Sequence, residues 1–444
     1  MKLLHALRGR IQHADPGHHL IARGMAWVAL FVLVSSLARA AKEMAIAYRY
    51  GVSAEVDAYL FIFNLVSWPV AVWFSLLTVV LVPMASRIRQ DACGVEGLPR
   101  FRGELLGLAL AVGLALLVVA WLGLPLLLKS PWSGLAPATL AIALPMVPAL
   151  ALLAPLGIVI SVFSAWMLAA SRHQNTLMEG IPSLAVLLAL LAFSGGGTEP
   201  LVWGTVAGFA LHLAGLAVPL ARQGEIAAPR FSRASPHWKP FWQGFGLMAA
   251  GQTLMSFTGV IDQFFASHLG TGAVATLGYA NRILALLLGL GAVAVSRATL
   301  PVFSDMQAQA GEQLRRVAAH WARLLFAVGV VAVLAAWWLA PWGVQILFER
   351  GAFVASDTVL VADILRLGLL QLPFYFSGLV LVSLLVSLQK YRSVATVAAI
   401  NFVVKVAANV VLAGMFGLQG IVLATALMYL VSMVLCLVAV RNAR

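Results

Sequence analysis

Residues 51–87, GVSAEVDAYLFIFNLVSWPVAVWFSLLTVVLVPMASR, return in weaker form as residues 270–306, GTGAVATLGYANRILALLLGLGAVAVSRATLPVFSDM, so that Tyr59 meets Tyr279 and Pro83 meets Pro301. Each stretch holds more than the ~20 apolar residues that a helix needs to cross ~30 Å of hydrocarbon. The correspondence continues at an offset of about 217 to 221 residues: ASRHQNT at 170–176 answers LQKYRSV at 388–394, and Gly204 in GTVAGFALHL answers Gly420 in GIVLATALMY. An even number of helices per copy gives both copies the same orientation, which implies a parallel repeat about an axis normal to the membrane.

Composition agrees with that reading. Of 444 residues, 62% are apolar and 10% charged, which excludes a soluble architecture. Twelve apolar runs lie near 24–47, 57–83, 103–127, 138–170, 181–196, 200–221, 242–267, 273–302, 318–340, 358–388, 393–414 and 418–440. The formal charge of +13 does not point to nucleic acid, because the basic residues cluster in short loops between the runs. Nineteen fall on one side, from Lys2, Arg8, Arg10 and Arg23 through Arg87, Arg89, Arg172 and Arg315 to Arg441 and Arg444; Lys42, Arg49, Lys129 and Arg350 fall on the other. Nineteen against four predicts a multi-pass protein of the bacterial inner membrane with both termini cytoplasmic. Trp132, Trp203, Trp242 and Trp342 fall near span ends, where amphipathic rings anchor at the headgroups.

The expected fold is therefore all-α and membrane-integral: twelve transmembrane helices in two six-helix lobes, related by a parallel pseudo-twofold around a central cavity. The N-lobe covers 1–221 and the C-lobe 242–444; a basic cytoplasmic linker at 222–241, with Pro229, Pro236 and Pro240, joins them. No small-residue cleavage site follows the first apolar run, which reads as a retained helix. Cys93 and Cys436 are far apart and match no disulfide or metal spacing, and no Walker-type nucleotide loop occurs. No cofactor is expected beyond a coupling ion or the membrane potential.

Ionisable side chains inside a span cost at least ~2.5 kcal/mol each on insertion scales, so they face a wet cavity or a partner. Arg39, Lys42 and Glu43 sit at the far end of the first span, Asp57 opens the second, and Asp262 lies within the seventh. Arg282 is ~14 Å into the eighth at ~1.5 Å per residue. Asp363 and Arg366 belong to the tenth and Lys405 to the eleventh. Arg39 and Glu43 are four apart, and Asp363 and Arg366 three apart, so each couple has the spacing of a local pair. Arg282 and Lys405 have no acidic neighbour at helical spacing; Asp262 is the carboxylate placed to satisfy Arg282 across the lobe. Asn401, Lys405 and Asn409 form a polar stripe every four residues, which needs something hydrated or anionic to face. If both lobes present these cations to one cleft, the cargo is anionic, and the planar fork of arginine suits phosphate oxygens.

KEMAIAYRYGVSAEVDAYLFIFNL followed by VLVPMASR, GVIDQFFASHLGTGAVATLGYANRILAL followed by ATLPVFSDM, and LFERGAF resemble the MurJ (MviN) lipid II flippases of the multidrug/oligosaccharidyl-lipid/polysaccharide exporter superfamily. The resemblance implies alternating-access transfer of an undecaprenyl-pyrophosphate-linked saccharide from the inner to the outer leaflet, the pyrophosphate gripped by cavity arginines. It implies substrate-facing roles for Lys42, Asp57 and Arg282, with Arg39, Arg366, Lys405, Asn401 and Asn409 as further candidates and Glu43, Asp262 and Asp363 as ion or charge-pair candidates. Asn281, Ser36, Asn64, Val70 and Ala285 depart from the family's charged positions, and the family carries two further helices beyond the twelve expected here.

An exporter of the same superfamily moving an exopolysaccharide or O-antigen repeat unit remains an alternative, as does an ion-coupled multidrug antiporter using Asp57, Asp262 and Asp363. A membrane glycosyltransferase is disfavoured by short outer loops, among which Glu199, Glu349 and Asp357 are scattered. His173, His212 and His320 are isolated and read as structural. The expected partners are the lipid-linked sugar, membrane lipids and cell-envelope polysaccharide assembly proteins, the last also covering a scaffold homologue without transport; nucleic acid is not among them.

Overall fold

A computed structural model describes residues 16–90, 97–170, 174–193, 195, 197–307, 311–388 and 390–442. Lys2, Arg8, Arg10, Cys93, Arg172, His173 and Arg444, to which the sequence attaches expectations, lie outside the described residues. The chain is helical, with no β-strand among the described residues. Its helices are α1 (Pro16–Tyr50), α2 (Ala54–Gln90), α3 (Leu98–Lys129), α4 (Pro137–Ala151), α5 (Leu153–Ala169), α6 (Gln174–Met178), α7 (Ile181–Ala192), α8 (Glu199–Arg222), α9 (Trp238–Ser267), α10 (Ala273–Gln307), α11 (Gly311–Phe348), α12 (Ala355–Leu369), α13 (Leu372–Ser387), α14 (Tyr391–Phe416) and α15 (Leu418–Asn442).

Eight stretches among the described residues are long and apolar enough to cross a bilayer, with α4–α5 and α12–α13 each counted as one; α7 and residues Ala273–Gly289 of α10 are shorter apolar helices. With α1 and α9 these supply the twelve crossings. Two crossings are broken, and proline explains both. A proline lacks the N–H that would bond four residues back, and its ring crowds that carbonyl. Pro155 stands four residues after Ala151, where α4 ends, and Pro373 four after Leu369, where α12 ends.

Each broken crossing is met by a glycine. A Cβ on Gly113 of α3 would lie 2.7 Å from Cα of Pro155, and one on Gly329 of α11 would lie 2.6 Å from Cα of Pro373. The two glycines and the two prolines occupy matching places in the sequence repeat, so the repeat extends to a shared device: a kinked helix seated against a neighbour that has no side chain at the contact.

The chain forms two compact units, neither contiguous in sequence. Met1–Ala45, Trp73–Leu116 and Leu152–Phe245 make the first; Ile46–Val72, Leu117–Ala151 and Gly246–Arg444 make the second. In the first, the segment after α8 is stitched to the start of α3. The side chain of Glu104 is fully buried and accepts from Ser232 Oγ at 2.6 Å, Trp238 Nε1 at 2.7 Å, the main-chain N–H groups of Ser235 at 3.1 Å and Ala234 at 3.2 Å, and Arg100 Nε at 3.2 Å. A buried carboxylate is tolerated only when its lone pairs are met in this way. Arg102 reaches Glu225 at 3.4 Å, and Arg230 donates its main-chain N–H to the carbonyl of Gly103 at 2.8 Å. Sequence pattern did not single out Glu104, because four of its five donors lie about 130 residues away.

In the second unit Leu314, Ala318, Ala322, Val380, Leu381, Leu384, Leu385 and Cys436 form one apolar core from α11, α13 and α15. Gly329→Ala forces its Cβ into the backbone of α13, and overpacking of this kind costs about 1–3 kcal/mol. Its expected outcome is a lowered melting temperature of the detergent-solubilised protein, whereas Gly343→Ala, which meets nothing within 4 Å, leaves it unchanged or slightly raised. Equal melting temperatures for the two variants would remove the kink-seating account.

Candidate functional site

The first turn of α10 presents N–H groups that its own helix cannot satisfy. Asp57, in the first turn of α2 and 2% exposed, supplies the acceptors: one carboxylate oxygen takes the N–H of Gly272 and the other takes that of Ala275 at 2.6 Å. A carboxylate here also meets the positive end of the helix dipole. Gly272 has φ +86° and a Cβ on it would strike Val52, so the turn into α10 requires glycine.

Contacts of the same kind continue around this end of the unit. Tyr279, fully buried, donates its hydroxyl to the carbonyl of Gly51 at 3.0 Å, and its ring stands edge-on to Phe353 at 5.3 Å. Gly51 has φ +58°, and a Cβ there would strike the carbonyl of Ala352, whose N–H in turn donates to the carbonyl of Tyr48 at 2.8 Å. Ser267 donates its hydroxyl to the carbonyl of Ser133 at 2.6 Å. The connectors after α1, α3, α9 and α11 are thereby joined. Farther along, α2 lies against α9: Gln263 Nε2 donates to the carbonyl of Leu60 at 3.4 Å, Phe61 meets Phe264 edge-on at 5.2 Å, and Trp68 Nε1 donates to Ser256 Oγ at 3.1 Å.

Arg282 follows Tyr279 by one turn. It is half-buried, with its guanidinium carbon 5.9 Å from the centre of the Tyr279 ring. Its Nη1 lies 3.1 Å from where a Cβ on Gly278 would stand, so the bare backbone of Gly278 makes room for the guanidinium to lie back toward the capped end. On another face of α10, Leu277, Asn281, Leu284, Ala285 and Leu288 line a cavity of about 210 Å³ together with Asp262, Gln371, Val422 and Thr425.

The remaining interior charges differ from their expected partners in two places. Asp262, read from the sequence as the carboxylate for Arg282, has its Oδ1 2.7 Å from Lys405 Nζ and accepts from Asn409 Nδ2 at 2.8 Å. The helical-spacing rule sees only one helix, and this partner comes from another. The stripe of Asn401, Lys405 and Asn409 is buried, at 3%, 1% and 0% exposure, and the anion that it faces is Asp262. In the first unit the carboxylate of Glu43 is met by Lys42 at 2.7 Å, while Arg39 donates to Ser36 Oγ at 3.2 Å instead of reaching forward one turn. Arg39 also stands near Glu179. The sequence reading passed over Glu179. Asp363 and Arg366 form the expected pair, at 3.1 Å, and Arg366 Nε donates in addition to the carbonyl of Trp337 at 3.1 Å.

Comparison with known proteins gives a consistent likeness. The family profile described as lipid II flippase MurJ matches residues 46–444. A protein of Bdellovibrio bacteriovorus named "Probable lipid II flippase MurJ" is 28% identical over 239 residues, covering 53% of this chain and 46% of that protein. One of Helicobacter pylori with the same name is 31% identical over 203 residues, covering 45% and 43%. These alignments take in less than half of the relatives' own length; one with a Synechocystis protein of that name, 28% identical over 440 residues, covers 91% of this chain and 79% of the other. Among solved structures, a lipid II flippase MurJ in an inward closed conformation superposes with a TM-score of 0.81 at 18% identity over 94% of this chain and 88% of that one. An inward-facing multidrug resistance MATE transporter superposes at 0.76 with 16% identity, over 93% and 97%. At such identities the structures establish the fold.

Replacing a capping carboxylate by alanine costs about 0.5–2 kcal/mol. In a Cys93→Ser, Cys436→Ser background, Asp57→Ala is therefore expected to speed maleimide labelling of Ala280→Cys, a fully buried position, by roughly 2- to 30-fold. Unchanged labelling would mean that the cap does not hold this end together.

Proposed function

The chain belongs to the MurJ family of lipid II flippases, and from that premise we propose that it carries an undecaprenyl-pyrophosphate-linked saccharide of the lipid II type from the inner to the outer leaflet of the bacterial cytoplasmic membrane. The observation that carries the reading is the double use of α10: within three turns the helix is capped by Asp57, tied by Tyr279 and armed with Arg282. With both termini cytoplasmic, as the loop charges predict, the joined connectors face outward. In this reading the joined connectors serve as the exit gate.

Residues 275, 279 and 282 advance by four and three, so they share one face of α10. Closing contacts and cation thus move as one rigid element. A pyrophosphate bound at Arg282 accepts paired hydrogen bonds from a planar, permanently charged fork. Such charge-assisted bonds contribute about 1.5–3 kcal/mol each. A gate held by one cap at about 0.5–2 kcal/mol and a few neutral hydrogen bonds near 1 kcal/mol is weak enough for differential substrate binding to open. Outward movement of two negative charges gains about 2.3 kcal/mol per charge per 100 mV of inside-negative potential. This reading requires no nucleotide.

The test is lipid II translocation in proteoliposomes, read as outer-leaflet accessibility of a labelled lipid II, with protein abundance measured in parallel. Arg282→Ala is expected to lower the rate by at least about tenfold, from the loss of one charge-assisted bond. Arg282→Lys retains part of the activity, because a point charge lacks the fork. Gly278→Ala, whose Cβ would lie 2.7 Å from Leu60 Cδ1 and 3.1 Å from Arg282 Nη1, lowers it less than Arg282→Ala does. Wild-type transport by Arg282→Ala would remove the arginine clamp. If depletion in cells leaves lipid II undisturbed while another polyprenyl-linked repeat unit accumulates inside, the cargo is that unit instead.

A further inference from the structure

Lys405 lies deep in the second unit and has no open face to offer a substrate. An ammonium carries three protons. All three have oxygen partners: Asp262 Oδ1 at 2.7 Å, the carbonyl of Ile421 at 3.2 Å, and Thr425 Oγ1. The partners come from α9 and α15, while Lys405 stands on α14. Two more oxygens wait close by in sequence: Oδ1 of Asn401 and Oδ1 of Asn409 are buried with no hydrogen-bond partner among the described residues. Their amide nitrogens are occupied, Asn401 Nδ2 by Ser432 Oγ at 2.9 Å and Asn409 Nδ2 by Asp262 at 2.8 Å.

A carboxylate, a main-chain carbonyl and a hydroxyl converging on one point, with spare amide oxygens on the same helix, make the donor set of a hard cation. A bare ion pair would need only the carboxylate. We propose that the Lys405 ammonium is a tethered cation occupying a latent monovalent-cation site, so that the packing of α9, α14 and α15 is held by a charge that cannot dissociate. The site also has a way in. The cavity of about 210 Å³ is lined by Asp262 and Thr425, two of the three partners, along with Asn281 and Gln371, and it is polar and large enough for several waters. An ion reaching that cavity finds its place filled by lysine. Removing the ammonium leaves Asp262 buried without its counter-charge, and a sodium ion from solution is the smallest species that restores neutrality with the same oxygens.

The experiment measures thermal unfolding of the purified full chain in detergent, with NaCl replaced stepwise by choline chloride at constant ionic strength. The wild-type midpoint is expected to be the same in both salts. Lys405→Met keeps the apolar stem and drops the charge; it is expected to melt lower in choline and to gain several degrees between zero and about 150 mM sodium, rising with the logarithm of concentration as ligand linkage requires. Asp262→Asn combined with Lys405→Met removes both charges and is expected to be indifferent to sodium. Sodium stabilisation of the wild type, no stabilisation of Lys405→Met, or recovery of that variant in neither salt would each overturn the proposal. So would sodium stabilisation of the double variant, since it would place the ion elsewhere.

Discussion

A helix that begins inside a protein must find acceptors for its first N–H groups, and α10 finds them in a carboxylate contributed by α2. That bond between Asp57 and the backbone at Gly272 and Ala275 sets much else. It fixes where α10 starts, hence which residues fall on the face below the cap. Tyr279 arrives one turn later against Gly51, and Arg282 one turn after that. The glycines at 51 and 272 follow from the same constraint, since each must approach another chain segment where a Cβ would collide. The cap orders one end of the second unit, and its contribution is on the scale of an ordinary N-cap, about 0.5–2 kcal/mol.

The interior charges are distributed by a second rule: a charge without water needs every hydrogen-bonding position answered. Lys405 meets it with three oxygens and Glu104 with five donors; Arg366 combines a carboxylate with a main-chain carbonyl. Arg282 is placed differently. It lies over an aromatic face beside a glycine, an arrangement that orients the guanidinium along the helix toward the capped end. Two cations that look alike in sequence, each an isolated basic residue in an apolar run, therefore stand in different surroundings, one enclosed by oxygens and one half-buried beside an aromatic ring.

The repeat shows why the fold was legible from one dimension. Insertion into a bilayer imposes a length of apolar chain on every crossing, and that requirement is written as runs of residues and basic loops. The crossings at 138–170 and 358–388 could be read in this way, and their breaks follow from Pro155 and Pro373 by a local rule. What the runs do not contain is the neighbour. That Gly113 and Gly329 seat those kinks, or that Glu104 binds a segment about 130 residues away, depends on which helices pack together.

Sequence alone determined the crossings, their repetition, the family resemblance, and the local pair of Asp363 and Arg366, because each is set by spacing along a single chain direction. Tertiary structure decided the partner of Lys405, an aspartate on another helix, Asp262. The reason is geometric. Hydrophobic length and helical period are properties of one helix, whereas the choice between two cations for one carboxylate turns on the rotation and register of three.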